Sequence, residues 1–239
     1  MTMNTRRKFL LQSGMAATAL LAVKPFETLA HSMAPVTGYS GNNKVVLLHT
    51  GNNNNTADRL AVKQVTDLKK NTGNVLLVNA GKETQKNIAA LEYDASLHLN
   101  NSLLNNDGNY KIVYKGDIKV GIITAGTDTL TGTDTLSAYL KNDKGCQLVV
   151  VLSQLGYKND SGDDDLELAR RSRYIDIIIG GHSSNFSASP VIAHNSRNEE
   201  VIIHSAADNG FALGNIEIGF DRNQNKRSVD FNNLLSRVN

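Results

Sequence analysis

Four apolar runs in this chain break into loops that carry its candidate chemistry. Val45–Leu48 leads into His49-Thr50-Gly51-Asn52-Asn53-Asn54, and Val75–Val78 into Asn79-Ala80-Gly81-Lys82. Leu148–Leu152 leads into Ser153-Gln154-Leu155-Gly156-Tyr157, and Ile175–Ile179 into Gly180-Gly181-His182-Ser183-Ser184. The Lys82 ammonium can hold a phosphate as a point charge, against the plainer role of a solvated loop lysine. His182 can give a metal one imidazole nitrogen. With amides for companions that donor set is poor, and a hydrogen-bonded loop histidine is the simpler reading. Asp160, Asp163, Asp164 and Asp165 lack the alternate spacing of a calcium loop and read as helix-capping residues. Cys146, the only cysteine, can form no intramolecular disulfide. It precedes a Val/Leu run and reads as a small buried hydrophobe. His49 reads as structural, while His194 and His204 give no signal.

The elements that must position these loops follow from periodicity. Continuous apolar runs suit strands covered on both faces. Leu60, Val62, Val65 and Leu68 have helical spacing and end near Asn71-Thr72-Gly73. A second helix is expected between the last two runs, opened by Asp163–Asp165 and closed by Arg170, Arg171 and Arg173, as the helix dipole favours. Tyr110–Tyr114 and Ile118–Thr124 flank Lys115-Gly116-Asp117, a hairpin signal. Val201–His204 and Asn215–Phe220 read as a further antiparallel pair. The mixture implies an α/β class with two packed mixed β-sheets flanked by helices. In open α/β sheets, sites form beyond the carboxyl ends of the strands, which is where the loops above lie.

The first thirty residues read as a leader. Thr5-Arg6-Arg7-Lys8-Phe9-Leu10 is a twin-arginine pattern, followed by an apolar stretch from Gly14 to Val23 and a small-residue cleavage site at Thr28-Leu29-Ala30. That stretch is shorter than the ~20 residues a spanning helix needs. The expected organisation is a Tat-type signal over 1–30, a linker over 31–43 and one domain over 44–239, exported to the periplasm or the extracellular space with no transmembrane anchor after signal removal. The whole chain has 25 basic and 23 acidic residues. Four of the basic residues (Arg6, Arg7, Lys8, Lys24) and one acid (Glu27) fall in the leader, leaving 21 against 22. Without a basic excess, the domain is not expected to bind nucleic acid.

Taken together and in order, Leu47-Leu48-His49-Thr50, Tyr93-Asp94-Ala95, Leu152–Tyr157, Ile175–Ser184 and Leu213-Gly214 resemble the calcineurin-like metallophosphoesterases, in their bacterial 5′-nucleotidase and UDP-sugar hydrolase branch. The resemblance runs from about Lys44 to Asp221. It implies a site in which two cations bind phosphate and activate a water, held by carboxylates and imidazoles with one bridging Asp. The first motif resembles His-Thr-Asn-Asp-x-His, and its ligand places hold Asn52 and Asn54. The second resembles Asp-Ala-Gly-Asp, with Lys82 in place of the bridging Asp. In the third, which resembles Gly-Asn-His-Glu-Phe-Asp, Asn100 is kept. The catalytic His and its Asp partner there become Asn101 and Leu104. The fourth has Gln154 where the pattern has a ligand His. The fifth keeps His182 but ends on Ser184.

Asn100 and His182 therefore remain as family ligands, with Asn52, Asn54, Lys82, Gln154 and Ser184 as altered positions. An ammonium at the bridging place repels both cations and can replace their charge. Neutral amides elsewhere avoid a carboxylate cluster without a counter-ion. The resemblance thus implies an exported phosphatase-like domain with no cofactor and no reaction. It would be retained to bind a phosphorylated small molecule at Lys82, or a partner such as a separately encoded nucleotidase C-terminal domain, for which the chain ends too early. The alternative is an active phosphomonoesterase of 5′-nucleotidase type with an atypical or single-metal site, using zinc, manganese or iron.

Overall fold

The computed structural model describes residues 43–50, 59–71, 73–81, 92–97, 110–125, 130–159, 163–181, 189–205 and 212–235. The leader and residues 31–42 of the linker lie outside them.

The first sheet is built on β1 (Lys44–Thr50) and β2 (Val75–Asn79), which run parallel in register from Val46↔Val75 to Thr50↔Asn79. Parallel neighbours need a crossover, and α1 (Arg59–Asn71) supplies it where the helical spacing of apolar residues placed it. The short β3 (Ala95–Ser96) extends the sheet in parallel. On the other side β10 (Ala212–Phe220) pairs antiparallel with β1, and β11 (Lys226–Leu235) pairs antiparallel with β10.

The second sheet has six strands. The hairpin of β4 (Tyr110–Lys115) and β5 (Ile118–Ala125) forms as its turn signal indicated, with Gly116 at φ 60°. Next come β6 (Leu148–Ser153), β7 (Ile177–Gly180) and β9 (Glu200–Ser205), all parallel, and β8 (Val191–His194) as an antiparallel edge. α2 (Leu130–Asn142) joins β5 to β6, and α3 (Asp165–Arg171) joins β6 to β7.

Strand alternation sorts the side chains into two cores. Between the sheets lie Val45, Leu47, Leu76, Val78, Ile216 and Ile218 from one side, against Val120, Val150, Leu152, Ile179 and Ile202 from the other. The outer face of the second sheet packs Val149, Val151, Ile178 and Ile203 against Leu140 of α2 and Leu168 and Ala169 of α3. Among the described residues no helix is long and apolar enough to cross a membrane.

Two sequence expectations need correction, and one helix was not foreseen. Val201–His204 and Asn215–Phe220 are strands but not partners: β9 belongs to the second sheet and β10 to the first. Apolar alternation identifies a strand without identifying its neighbour. Helix α2 gave no signal because Thr131, Gly132, Thr133 and Thr135 are poor helix formers, and tertiary packing of Leu140 outweighs that preference. The α3 helix stops at Arg171, capped by Ser172, so Arg173 lies beyond it and pairs with Asp134 at 2.9 Å.

Away from the strand ends, Asp176 ties the sheets together. It accepts from Val149 N–H at 2.8 Å, from Lys141 of α2 at 2.7 Å and from Lys226 of β11 at 3.1 Å. Burial opposes its charge, but the two ammonium groups and the backbone donor outweigh burial and hold the carboxyl below its usual range. Asp176→Asn would leave both lysines without their carboxylate. The expected loss is about 3 kcal/mol, the lower end for breaking a buried pair because both lysines keep some water contact. A group with a depressed pKa gives stability that disappears on acidification. The gap between variant and wild type in urea unfolding should therefore narrow below about pH 4. A gap that persists at low pH would contradict the assignment.

Candidate functional site

The inter-sheet alternation can be followed one step past the last apolar residue of each strand. Val45 and Leu47 are followed by His49, Leu76 and Val78 by Ala80, Val150 and Leu152 by Gln154, Ile177 and Ile179 by Gly181, and Ile202 by His204. On β10, which runs the other way, the matching position is Gly214. The apolar layer between the sheets thus ends in a layer of two imidazoles, one amide and small residues. This layer lies at the carboxyl ends of the parallel strands.

Two side-chain bonds cross from sheet to sheet within it. His49 Nε2 and His204 Nδ1 are 2.6 Å apart, with the rings edge to face at 88°. His49 lies over Gly214, where any side chain would overlap the ring. Burial, and then the neighbouring His204, push His49 well below the usual imidazole range, and burial brings His204 down to about 4. Both rings are neutral at pH 7, so one donates and the other accepts. Their outer atoms, His49 Nδ1 and His204 Nε2, have no partner among the described residues. One of these therefore carries a hydrogen and the other a bare lone pair.

The second crossing bond runs from Gln154 Nε2 to the Ala80 carbonyl. Gly181 packs on the same carbonyl so closely that a Cβ there would overlap it. Gln154 Oε1 is buried without a partner among the described residues. Around this junction Ala80 N–H donates to Thr50 O at 3.1 Å, Gly181 N–H to Ser153 O at 2.9 Å, and Gly81 N–H to Asn79 Oδ1 at 2.8 Å. The Thr50 hydroxyl meets the Tyr93 hydroxyl at 2.9 Å, and burial raises Tyr93 to about 12.

The outer face carries a further buried acid. Asp164 is the N-cap of α3 and accepts from Glu167 N–H at 2.8 Å, as a capping aspartate should. Asp165 does something else. Its carboxyl bonds the Ser153 hydroxyl, and one oxygen lies 2.9 Å from where a Cβ on Gly180 would stand. Its Oδ1 has no partner among the described residues. Burial raises its pKa to about 7, with Asp164 adding to the rise and Ser153 opposing it.

Of the sequence-predicted site residues, Gln154 is described. Asn52, Asn54, Lys82, Asn100, Asn101, Leu104, His182 and Ser184 lie outside the described residues, as does Asp160. Gly81 and Gly181, which directly precede Lys82 and His182, are placed beside Gln154 by the contacts at Ala80. Sequence reasoning missed His204 and Asp165. The signal for His204 was its two-residue spacing from Ile202, which puts it on the face that His49 shares. Among the described residues no three His, Cys, Asp or Glu side chains converge to hold a metal ion. Cys146 is buried and its thiol is pushed up by burial, as a small hydrophobe would be.

No protein-family model matches the chain. A solved 5′-nucleotidase precursor from Thermus thermophilus superposes with a TM-score of 0.63 at 21% identity, over 80% of this chain and 54% of that one. Over the matched region the chain shares the fold of that nucleotidase. Two curated relatives point the same way in sequence. The trifunctional nucleotide phosphoesterase protein YfkN of Bacillus subtilis is 30% identical over 91 residues, covering 38% of this chain and 6% of that protein. An apyrase of Tabanus yao is 29% identical over a match covering 44% of this chain and 23% of its own length. The chain thus spans a minor part of both curated relatives and about half of the solved nucleotidase. The polar layer lies at the carboxyl-terminal strand ends of this shared fold.

Asp165 and the histidine pair pull stability in opposite directions with pH. A neutral His204 stabilises the fold fully above about pH 6.5, and this is lost as pH falls towards 4. Asp165, raised in the fold, stabilises below about pH 4 and loses that contribution as pH rises through 7. Asp165→Asn removes only the second effect. Relative to wild type, the variant should gain roughly 4 kcal/mol between pH 4 and pH 8 in urea unfolding. A constant difference across that range would mean Asp165 ionises as an ordinary surface carboxylate.

Proposed function

We infer that this chain is an exported phosphatase-like domain that binds a phosphorylated small molecule at its strand ends without hydrolysing it. The observation that carries the reading is Gln154. It stands where the family pattern has a metal-binding imidazole, and its amide N–H groups are turned to the Ala80 carbonyl, joining the two sheets. A two-metal centre does not fit this donor set. Asn52, Asn54 and Gln154 are neutral amides, Ser184 is a hydroxyl, and Lys82 sets an ammonium where a bridging carboxylate is needed. Two divalent ions bridged by no carboxylate would face uncompensated mutual repulsion.

The same set suits an anion. Lys82 gives a fixed positive charge directly after Gly81, and amides and hydroxyls supply hydrogen-bond donors without adding negative charge. The twin-arginine leader makes export part of this reading. A separately encoded nucleotidase C-terminal domain is the partner that would complete a nucleotide site.

A second reading, active hydrolysis at an atypical or single-metal site, draws on the curated relatives' names. Elemental analysis of protein purified without chelator separates the two. Strongly substoichiometric zinc, manganese and iron are expected, and two equivalents per chain would reverse the conclusion. Calorimetric titration with phosphate or AMP should show binding that Lys82→Ala weakens roughly tenfold, the loss of about 1.5 kcal/mol typical of a charge-assisted contact. Turnover that disappears with chelator and returns with manganese would establish the second reading.

A further inference from the structure

The outer face of the second sheet changes character at its last rung. The apolar row Ile123, Val151, Ile178 and Ile203 is followed by Ala125, Ser153, Gly180 and Ser205. Small residues leave a hollow there, and the buried Asp165 carboxyl of α3 fills it. One carboxyl oxygen takes the space that a Cβ on Gly180 would need, and the other has no partner among the described residues. A carboxyl is a conditional filler for such a place, because its charged form is costly away from water.

A run of short contacts leads from this carboxyl to the junction between the sheets. The carboxyl bonds the Ser153 hydroxyl, and the same Ser153 Oγ accepts from Leu155 N–H at 3.1 Å. Asp165 N–H donates to Gly156 O, and Gly181 N–H to Ser153 O, both at 2.9 Å. Ser153 and Gln154 point to opposite sides of the sheet. The turn that Asp165 holds on the outer face is therefore the one from which Gln154 reaches the Ala80 carbonyl on the inner face.

Among the described residues no cation is placed to hold the carboxyl charged. β6 and β7 carry no titratable side chain. On β9, His204 lies on the inter-sheet side, bonded to His49, and Glu200 stands at the far end of the strand beside His194 of β8. Within α3, Asp164 has the same sign, Glu167 pairs with Arg171, and Arg170 is exposed. Tyr157, Lys158 and Asp163, in the segment leading to α3, are exposed as well.

We propose that Asp165 is a proton-linked latch on the inter-sheet junction. Protonated, it holds the turn at 153–157 and the first turn of α3 on the strand ends. Its ionisation favours an opening of that segment that wets the carboxyl and releases the Gln154 bridge. The latch does not depend on the reading of the site as one for phosphorylated ligands. Its sign follows from the direction of the shift: an acid raised to about 7 in the closed form stabilises closure below about pH 4 and loses that contribution as pH rises to 7. Opening thus becomes easier by about tenfold per pH unit across that window, about a thousandfold in all.

Amide hydrogen exchange of the full chain, followed by NMR, tests this without any ligand. Protection factors, which remove the intrinsic pH dependence of exchange, should fall about tenfold per pH unit at Leu155, Asp165 and Gly181 between about pH 4.5 and pH 6.5. Strand-centre amides such as Leu47 and Val150 report global unfolding, which also exposes His49 and His204. Protonation of those rings favours unfolding as pH falls below about 6.5, so these amides should show no such fall. Asp165→Asn, which keeps the shape without the charge, should abolish the slope at all three latch amides. If that variant does not fold, the contrast between latch and strand-centre amides in the wild type decides alone. Flat protection at Leu155 and Asp165, or the same slope in Asp165→Asn, overturns the latch. A fall at Leu155 and Asp165 with none at Gly181 overturns its coupling to the junction.

Discussion

Two sheets can enclose a common apolar layer only if their ends also close, and in this chain closure depends on how nearly Gly181 approaches the Ala80 carbonyl. No side chain fits between them. With that contact made, Gln154 reaches the same carbonyl from β6, and His49 and His204 meet where β1 and β9 run out of apolar partners. Gly214 serves the same end from β10 by leaving room for the His49 ring. Much of what is distinctive about the site follows from small residues at 181 and 214 letting polar ones bridge the gap.

Beyond the apolar layer, the connections that hold the sheets together differ in kind. Asp176 binds two lysines and a backbone N–H in a charged cluster, supplemented by the Gln147–Gln224 contact at 2.6 Å. At the strand ends the links are neutral. Charged clusters tolerate proximity to water and are held by Coulomb attraction, whereas a neutral pair buried between sheets depends on every hydrogen bond being made. Five buried polar atoms remain unpartnered among the described residues: His49 Nδ1, His204 Nε2, Gln154 Oε1, Asp165 Oδ1 and Asn215 Oδ1. All belong to the strand-end region or to the strand paired against it. Unsatisfied buried groups are uncommon in folded proteins and tend to mark places where a ligand, a water or a proton is received.

The framework was legible in the sequence because strand runs such as Val45–Leu48 and Leu148–Leu152 are long, apolar and β-branched, and because Gly116 and Asn71-Thr72-Gly73 punctuate them. The α2 helix was not legible, since its threonines and Gly132 argue against a helix and only the buried Leu140 and its neighbours hold it. Asp165 was read as one of four capping aspartates. Local spacing shows that a cap is needed near there, but not which carboxyl makes it. The structure gives the cap to Asp164 and turns Asp165 inward to Ser153.

Sequence by itself determined which residues the proposed site draws on. That Lys82, and amides at 52, 54 and 154, stand where the resembled pattern has charged or imidazole ligands is a matter of residue identity, and identity limits the chemistry such a site could support. Only the tertiary structure decided who touches whom. His49 and His204 are 155 residues apart along the chain, and β9 and β10 follow one another in sequence yet join different sheets. Periodicity reports which face of a strand is buried. Which strand lies opposite is set by the closing of two sheets over one core, a property that no local stretch of sequence carries.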